Sequence, residues 1–581
     1  MLRQLFKFNG GVTPAYHKEA STGLPIAAYT ALAPLPDELV IPLHQSIGGP
    51  PRPLVEAGAK VLKGQRIGAA DGNVSAAVHA STSGWVKAVE MRRMPHPSGL
   101  SALCVVIAPD GEERWIERVP FDYRRASPRE TRDYLRDAGV VGLGGAVFPS
   151  HLKLSPGKAG KLATLVINGA ECEPFITCDD TQMRECADGI VAGVAIMREV
   201  LAAGRVLIGI EDNKPEAIAA MRAALAKRGA ENMEVAAVPT RYPAGGAKQL
   251  IRVLTGIEVP HSKRSTEYGV QCFNSGTAYA IYQAIALGQP LISRVVTVAG
   301  NVARPRNFEV PLGVPMRELL ALCGPQPDSD RVIMGGPMMG VAMPGDEVPV
   351  VKATNCVLAG SPALFPPPPP EMPCIRCGEC ALACPADLQP FEMYWFARAK
   401  LFGKAQEYHL FDCIECGCCA YVCPSRIPLV DYYRFAKSEI WARERDKESA
   451  DQARERYEFR LLREEREKQE KAAKLAAKAA ATREKLGEKL SEKLAEKSDE
   501  KLAGTVPGAA QPASDSIAQS AEDAKKALIA AAIARVQQQK QQVQPANIDA
   551  LTPEQRAEVA EIEARRAQIH EMAKTAPSQD D

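Results

Sequence analysis

Short apolar runs alternate with amphipathic stretches in the middle of the chain, from about residue 128 to residue 291. The runs LATLVING, RVLIGI and MEVAAV are rich in β-branched residues and predict buried strands. The segments DGIVAGVAIMREVLAAG and KPEAIAAMRAALAKRG lie between these runs and have the apolar spacing of helices. Strands separated by helices of this length predict a Rossmann-like α/β domain with a parallel sheet. Such sheets bind nucleotides at the carboxyl ends of their strands.

The segment before this domain has the pattern of a small all-β unit. From about residue 37 to residue 90, runs such as SAAVHASTSGWVKAVE alternate small or apolar residues with polar ones. This stretch resembles the barrel-sandwich fold of biotinyl and lipoyl carriers. Asp71 and Gly72 stand where a carrier has its modified lysine, and Asp-Gly favours a hairpin turn. We therefore expect a structural role rather than a swinging arm.

The pattern changes three more times toward the carboxyl terminus. Residues 294–350 contain the strand-like run RVVTVAGNV and the glycine-rich turn MGGPMMG, which predict a second β-rich domain. Five consecutive prolines at 366–370 predict a stiff, extended spacer. Beyond about Trp441 the chain is rich in Lys, Glu, Ala and Gln, and EKLGEKLSEKLAEK at 484–497 has a leucine at every fourth residue. We expect a tail of solvated helix and disorder, because 504–516 has too few large apolar residues to fold alone.

Composition excludes several classes of protein. The net charge of +1 gives no reason to expect nucleic acid as a partner. The chain has no run of about 18 uninterrupted apolar residues, so we expect no membrane span. The first residues, MLRQLFKFNG, lack the apolar core of a secretory signal, so export is not expected. Sixteen cysteines in a chain that is not exported indicate metal ligation rather than disulfides.

Eight of the cysteines form two copies of C-x2-C-x2-C-x3-C-P, the run of bacterial ferredoxins. The first copy is Cys374, Cys377, Cys380 and Cys384, and the second is Cys413, Cys416, Cys419 and Cys423. Structural zinc, the alternative, usually takes two separated pairs of ligands. The pattern therefore predicts two 4Fe-4S clusters in a ferredoxin domain that is helical between the motifs.

The fourth cysteine of such a run ligates the other cluster in two-cluster ferredoxins, so we expect crossed sets. Cluster 1 takes Cys374, Cys377, Cys380 and Cys423, and cluster 2 takes Cys384, Cys413, Cys416 and Cys419. An additional cysteine, Cys418, lies inside the second motif. A cubane needs only four ligands, so we expect Cys418 to be a packed, unligated thiol.

A glycine-rich segment, RDAGVVGLGGAVFPSHLKL, lies near the start of the α/β domain. Glycines let backbone amides approach a phosphate closely, and the nearby Lys153 can neutralise its charge. Val147 occupies the place of the final glycine in G-x-G-x-x-G, so this segment is not that fingerprint. By itself the segment indicates an ordinary tight loop.

Four motifs together resemble the NADH-binding flavoprotein subunit of respiratory complex I. They are GLGGAVFP at 142–149, NGAECEP at 168–174, YPAGGAKQLI at 242–251 and FNSGT at 273–277, in that family's order and spacing. The resemblance implies that these loops surround FMN, bound non-covalently, and NAD(H). It implies as binding residues Gly142, Gly144, Gly145, Lys153, Asn168, Glu171, Glu173, Tyr242 and Asn274. The resemblance implies no general acid or base, because hydride transfer needs stacking and alignment more than proton transfer.

The whole layout, over about residues 1–440, resembles the RnfC (RsxC) family of the Rnf (Rsx) electron transport complexes. The resemblance implies five regions: a barrel-sandwich unit at 1–125, the α/β FMN/NADH domain at 126–291, a β-grasp (SLBB-like) domain at 292–350, a proline-rich linker at 351–370, and a double 4Fe-4S ferredoxin domain at 371–440. The helical or disordered tail at 441–581 lies outside the resemblance.

The same resemblance implies a peripheral protein on the cytoplasmic face of the bacterial inner membrane, in a translocase of the NADH/ferredoxin oxidoreductase type. Electrons would pass between NAD(H), FMN and the clusters, and partner subunits, including a ferredoxin-type one, would couple this transfer to ion transport. Two alternatives remain open. One is an electron-transfer module that docks subunits without nucleotide chemistry, and the other is a reductase that serves a redox-sensing regulator.

Overall fold

A computed structural model describes residues 5–96, 98–155, 162–367 and 369–499 of the chain. The chain forms two compact units, Met1–Glu455 and Arg456–Asp581. The first unit contains the β-rich, α/β and ferredoxin regions that the sequence predicts, and it is described here domain by domain.

The amino-terminal domain consists of two small antiparallel sheets. One sheet has the strand order Leu39–Pro42, Ser101–Pro109, Gly84–Arg93 and Lys60–Val61, and the other has the order Arg52–Pro53, Arg66–Ala69 and Val78–His79. Apolar residues that alternate along these strands form the core between the sheets, including Ile41, Ile67 and Ile107. At the hairpin tip, the Arg136 guanidinium donates to the carbonyl oxygen of Gly72, which ties the tip to the α/β domain.

The α/β domain is built on a four-stranded parallel sheet. Its strands lie in the order Met233–Val238, Arg205–Glu211, Thr164–Gly169 and Val270–Asn274. Three of them lie at the predicted runs, and the fourth adds to the opposite side of Thr164–Gly169. The helices of the domain are Pro128–Asp137, Ser150–Lys153, Cys178–Glu185, Ala187–Leu201, Pro215–Arg228, Ala247–Thr255 and Ser275–Leu287, with a 3-10 turn at Ser265–Tyr268.

Strand order reverses between Thr164–Gly169 and Val270–Asn274, so the crevice at their carboxyl ends is the switch point where such sheets bind ligands. Buried residues of the strands and of the long helices, such as Ile167, Val194 and Ile281, form the largest core of the chain's described part. This core holds the strands and helices that border the crevice in fixed positions.

The third domain has a six-stranded mixed sheet around the helix Met316–Cys323. Its strands lie in the order Ala27–Ala28, Arg306–Pro311, Ser293–Gly300, Cys356–Gly360, Arg331–Met334 and Val341–Ala342. The short helices Glu19–Thr22 and Tyr29–Leu32 flank the first of these strands. The predicted end of this domain at residue 350 is too early. The apolar run Cys356–Gly360 is fully buried and pairs with a strand on each side, so it belongs to the sheet and not to the linker.

The ferredoxin domain is helical, as predicted. Its helices are Glu379–Leu382, Pro390–Arg398, Phe402–Glu407 and Cys418–Tyr421, with a 3-10 turn at Leu410–Asp412, and the helix Leu429–Asp499 starts inside the domain. The predicted solvated helix at 484–497 lies within this last helix, and the rest of the predicted tail, from residue 500, lies outside the described residues. Within the described ranges, no helix combines the length and the apolar character that crossing a membrane requires.

A buried lysine joins the first three domains. Lys352 is 1% exposed, and its ammonium donates to the carbonyl oxygens of Ala77 at 2.9 Å and Gly139 at 2.7 Å. Its backbone N–H donates to the side chain of Gln45. Burial lowers the pKa of Lys352 to about 7. This residue therefore fixes the barrel-sandwich unit, the α/β domain and the β-grasp domain against one another.

Candidate redox site

Two asparagines lie side by side at the switch point of the parallel sheet. Asn168 and Asn274 are register partners at the carboxyl ends of their strands. Asn274 caps the helix Ser275–Leu287 by accepting the N–H of Thr277 at 3.3 Å. Its amide nitrogen donates to Asp179 at 2.5 Å, whereas the amide of Asn168 donates to the carbonyl oxygen of Gly245 at 2.8 Å. Both predicted binding residues thus hold the loops of the crevice in place.

The glycine-rich loop lies over the amino terminus of the helix Ser275–Leu287. Leu143 N–H donates to the hydroxyl of Thr277 at 2.9 Å, which anchors the loop there. A Cβ on Gly144 would lie only 3.3 Å from the Cβ of Asn274, so a side chain at this position would crowd the crevice. Gly145 has a φ of +105° and open space around it, a backbone conformation that favours glycine. The predicted Gly142, Gly144 and Gly145 therefore form a cradle of backbone beside a helix amino terminus, in which Gly144 and Gly145 are exposed and Gly142 is half-buried.

Lys153 lies beside the last strand of the sheet, Val270–Asn274. Its ammonium lies 4.6 Å from the centre of the Phe273 ring and donates to the carbonyl oxygen of Cys272. Burial lowers the pKa of Lys153. Among the described residues, no carboxylate forms an ion pair with it. A half-buried ammonium with no carboxylate partner among the described residues, beside the strand that ends at the crevice, fits the phosphate of a flavin mononucleotide.

Glu171 is a buried residue that holds the start of the helix Cys178–Glu185. Its carboxylate accepts the backbone N–H of Asp179 at 2.8 Å and of Asp180 at 3.3 Å, at the start of the helix Cys178–Glu185. The buried ammonium of Lys18 donates to its carbonyl oxygen at 2.5 Å. The Glu171 carboxylate is therefore already satisfied by backbone donors, which makes it a supporting residue of the loop.

Asp179 is a site residue that the sequence prediction missed. It lies between Glu171 and Asn274, and burial together with the nearby Glu171 raises its pKa to about 7. The run TCDD, a few residues after NGAECEP, was the available signal, but two acids at a helix start are common as caps. Only the hydrogen bond from Asn274 identifies the Asp179 side chain as part of the candidate site.

Glu173 and Tyr242 face other domains. The carboxylate of Glu173 accepts the backbone N–H of Met338 at 2.7 Å and of Met339 at 3.0 Å, in the β-grasp domain. The hydroxyl of Tyr242 donates to the carbonyl oxygen of Cys416 at 2.6 Å, in the second cysteine motif. The sequence prediction grouped both residues with the nucleotide loops, and the structure places their polar atoms against the third and fourth domains.

A cavity of about 260 Å³ opens beside the crevice. It shares Asp179 with the crevice, it is bounded by Leu143 and Gly276, and the buried Arg294 lines it from the β-grasp domain. None of the nine predicted nucleotide-binding residues lines this cavity. This cavity is thus next to the predicted site and not in it.

The eight motif cysteines surround two further cavities in crossed sets. One cavity is lined by Cys374, Cys377, Cys380 and Cys423, and the other by Cys384, Cys413, Cys416 and Cys419. The side chains between the thiols are mostly apolar, such as Phe391 at the first cavity and Met393 at the second. Four thiols around each of two small apolar cavities fit two cubane clusters.

The two motifs have the same local backbone, which brings the thiols together. Gly378 and Gly417 have φ values of +83° and +80° and precede the short helices Glu379–Leu382 and Cys418–Tyr421. These left-handed residues turn the chain back on itself, so that the first three cysteines of each motif meet on one side. In each motif, the turn after the fourth cysteine lines the cavity that contains the first three cysteines of the other motif.

The two cysteine sets differ in exposure. Cys377 is exposed and two others of its set are half-buried, whereas Cys384, Cys416 and Cys419 are buried. Cys418 is fully buried and does not line either cavity. The second set therefore lies in the interior and the first set close to solvent.

Family models match four consecutive parts of the chain. The RnfC barrel sandwich hybrid domain matches residues 6–112, and the Nuo51 FMN-binding domain matches residues 135–283. The SLBB domain matches residues 295–342, and the 4Fe-4S dicluster domain matches residues 373–427. These descriptions follow the order of the four folded domains.

Curated relatives match most of the chain. The C subunit of the ion-translocating oxidoreductase complex of Pseudomonas aeruginosa is 48% identical over 81% of this chain and 60% of its own length. The protein of the same name from Serratia proteamaculans is 46% identical over 80% of this chain and 65% of its own length. The chain belongs to this RnfC family. It spans less than two thirds of the length of these relatives.

Membership of the RnfC family confirms the resemblance that the motifs and the domain layout gave. The FMN-binding model covers the glycine cradle, Lys153, both asparagines and Tyr242, and the dicluster model covers all eight motif cysteines. A chain of an NAD+-reducing [NiFe]-hydrogenase also matches 53% of this chain and 61% of its own, at 19% identity and a TM-score of 0.39, which is too low to carry an argument about fold or function.

Proposed function

We propose that this chain is the redox arm of a membrane-bound ion-translocating oxidoreductase complex. In this role it exchanges electrons between NAD(H), FMN and two 4Fe-4S clusters, and partner subunits couple the transfer to ion transport. The crossed arrangement of eight cysteines around two cavities supports this proposal most directly. The names of the relatives support the assignment to an ion-translocating complex.

Residues of the α/β domain would hold the flavin. The backbone of Gly144 and Gly145 offers N–H groups beside a helix amino terminus. Gly142 closes the loop, because its N–H donates to the carbonyl oxygen of Phe148 at 2.9 Å. Lys153 offers a positive charge that no carboxylate among the described residues compensates. Asn274, next to Gly144, forms a polar pair with Asp179. A flavin, when bound, accepts a hydride from a nicotinamide and passes electrons singly to iron-sulfur centres.

The arrangement of the domains gives each cysteine set a distinct role. The set Cys384, Cys413, Cys416 and Cys419 lies against the α/β domain. Gln249 donates to the carbonyl oxygen of Pro385 at 3.1 Å, and Tyr242 donates to that of Cys416. The set that includes the exposed Cys377 lies on the outer side. We therefore propose the buried set as the relay next to the α/β domain and the outer set as the exchange point with a partner.

The amino-terminal segment holds the relay in place. Gly11 N–H donates to the carbonyl oxygen of Ala383 at 2.9 Å, and Asn9 donates to the carboxylate of Asp387 at 3.0 Å. Residues just outside the fourth cysteine of the first motif are therefore fixed to the rest of the protein. A fixed separation suits electron transfer, because the rate depends on how the redox groups are positioned.

We propose that the chain associates peripherally with the cytoplasmic face of the bacterial inner membrane through other subunits of the complex, including a ferredoxin-type one. The names of the relatives, which are subunits of ion-translocating complexes, support this placement. NADH is the proposed nucleotide substrate, because the FMN-binding model is that of the complex I flavoprotein type.

The test is a cofactor and reduction assay on the full chain, purified without oxygen. We expect about eight iron atoms and about one flavin per chain, and NADH should reduce both clusters in an electron paramagnetic resonance titration. The Lys153→Met variant, purified in the same way, should keep its iron, but NADH should no longer reduce its clusters. Clusters that dithionite reduces but NADH does not, in a chain without flavin, would contradict the proposal and favour a docking module.

A further inference from the structure

Tyr242 connects the α/β domain to the second cysteine motif. Its side chain is 1% exposed, and its hydroxyl donates to the carbonyl oxygen of Cys416 at 2.6 Å. A carbonyl oxygen can only accept, so the tyrosine hydroxyl is the donor in this contact. The hydroxyl of Tyr242 therefore binds the backbone of a cysteine of the proposed cluster.

Glu173 of the α/β domain supports the same motif through a turn of the β-grasp domain. Its carboxylate accepts the N–H of Met338 and of Met339, which fixes the turn between the strands Arg331–Met334 and Val341–Ala342. This turn packs on Gly417, where an added Cβ would lie 3.0 Å from the carbonyl oxygen of Met338. The glycine next to Cys416 thus permits a close approach between the turn and the motif.

Apolar packing completes this contact. One apolar cluster contains residues of the amino-terminal segment, the α/β domain, the β-grasp turn and both cysteine motifs: Val12, Cys172, Tyr242, Met338, Ala383, Ile414, Cys416, Cys418 and Val422. The second motif is therefore packed against four other parts of the chain. We define the cluster seat as Tyr242, Glu173 and the Met338 turn.

We propose that Tyr242 and Glu173 are positioning residues of the buried iron-sulfur cluster and do not bind the flavin or the nucleotide. This inference rests on the proposed ligation of a cluster by Cys384, Cys413, Cys416 and Cys419. The cluster seat fixes the Cys416 loop, and the tyrosine hydroxyl directs the positive end of its dipole toward that loop. Hydrogen bonds around a cluster and its exclusion from water set its reduction potential.

Removal of the hydroxyl leaves the Cys416 carbonyl without a partner in a buried place. The loop should then loosen, and the reduced, more negative form of the cluster should lose stabilisation. The first cluster should not change, because its four cysteines lie in the other cavity. Binding of flavin should not change either, because the glycine cradle and Lys153 do not contact Tyr242 among the described residues.

The experiment compares Tyr242→Phe with Tyr134→Phe in the full chain with its cofactors. Tyr134 is the matched control, because its hydroxyl also donates to a backbone carbonyl, that of Ala284 at 2.9 Å, away from both cavities. In Tyr242→Phe we expect a more negative midpoint potential for one cluster signal and release of its iron to a chelator about tenfold faster, equivalent to one buried hydrogen bond. The dissociation constant of FMN and the other signal should stay as in the wild type and in the control.

Glu173 gives a second test that does not depend on the tyrosine. Glu173→Ala should shift the same signal as Tyr242→Phe, whereas Glu173→Gln, which keeps an acceptor for Met338 and Met339, should restore it. Weaker FMN or NADH binding in these variants with both cluster signals unchanged would overturn the inference. That result differs from failure of the proposed function, which would appear in the wild type as absent clusters or absent reduction by NADH.

Discussion

The ammonium of Lys153 lies 4.6 Å from the centre of the Phe273 ring, at the end of the strand that leads into Asn274. This contact places a half-buried positive charge beside the strand that ends at the crevice. We expect Lys153→Met to lower the affinity for FMN about tenfold or more, since a hydrogen bond to a charged group contributes about 1.5 to 3 kcal/mol. Both clusters should remain, because no motif cysteine contacts this residue in the described part of the chain.

Riboflavin, which lacks the phosphate, makes this prediction specific. Flavin-free protein is titrated with FMN and with riboflavin, and the flavin fluorescence gives the two dissociation constants. The ratio of the riboflavin constant to the FMN constant should be smaller for Lys153→Met than for the wild type. Lys227→Met is the control, because Lys227 is an exposed lysine of the same domain that pairs with Asp188. An unchanged preference for FMN in Lys153→Met would remove this lysine from the phosphate site.

The crossed cavities predict which cysteine substitutions affect the same cluster. Cys423→Ser should perturb the same electron paramagnetic resonance signal as Cys377→Ser, although the two residues belong to different motifs. Cys384→Ser and Cys416→Ser should both perturb the other signal. Cys418→Ser, which is buried but lines neither cavity, should perturb neither. If Cys423→Ser and Cys416→Ser affected one signal together, the crossed assignment would be wrong.

The buried Lys352 predicts an unusual dependence of stability on pH. Its pKa is lowered from 10.5 to about 7 by burial, so between these values the unfolded chain binds a proton that the folded chain does not. Stability should therefore rise with pH in this window, by about 1 kcal/mol per pH unit from this group. Lys352→Met removes that contribution.

Thermal unfolding of wild type and Lys352→Met at about pH 7 and pH 9.5 checks this prediction. The melting temperature of the wild type should increase relative to that of the variant as the pH rises. Lys60→Met, at an exposed lysine of the barrel-sandwich unit, should follow the wild type. A constant difference between wild type and Lys352→Met would show that Lys352 stays charged in the folded protein.

Truncation after Glu455 should leave the redox chemistry intact. The unit Met1–Glu455 contains all eight motif cysteines and every predicted flavin residue, and the described side chains beyond it, up to residue 489, are exposed. We expect unchanged iron content, flavin content and NADH oxidation in the shortened chain. Loss of clusters in the truncated protein would show that the second unit is part of the redox fold.

Local sequence patterns were sufficient to predict the strands of the α/β domain and the two cysteine sets. The three apolar runs of the α/β domain became strands, because a continuous β-branched run between helices has few other ways to be buried. The spacing of the eight cysteines predicted two crossed sets, since a short tight loop can present only three thiols to one side. The strand Cys356–Gly360 was missed, because a five-residue apolar run after a proline- and glycine-rich turn gives no sign of a partner strand.

Only the tertiary structure decided what the nucleotide loops do. Asn168, Glu171, Glu173, Tyr242 and Asn274 come from motifs that are similar in sequence character, yet their side chains face different partners. The sequence could not separate them, because the contacts of Glu173 and Tyr242 lie about 165 and 174 residues away along the chain. Residue spacing determines the conformation of each loop, whereas packing between domains determines which side chains face the crevice and which face the second cysteine motif.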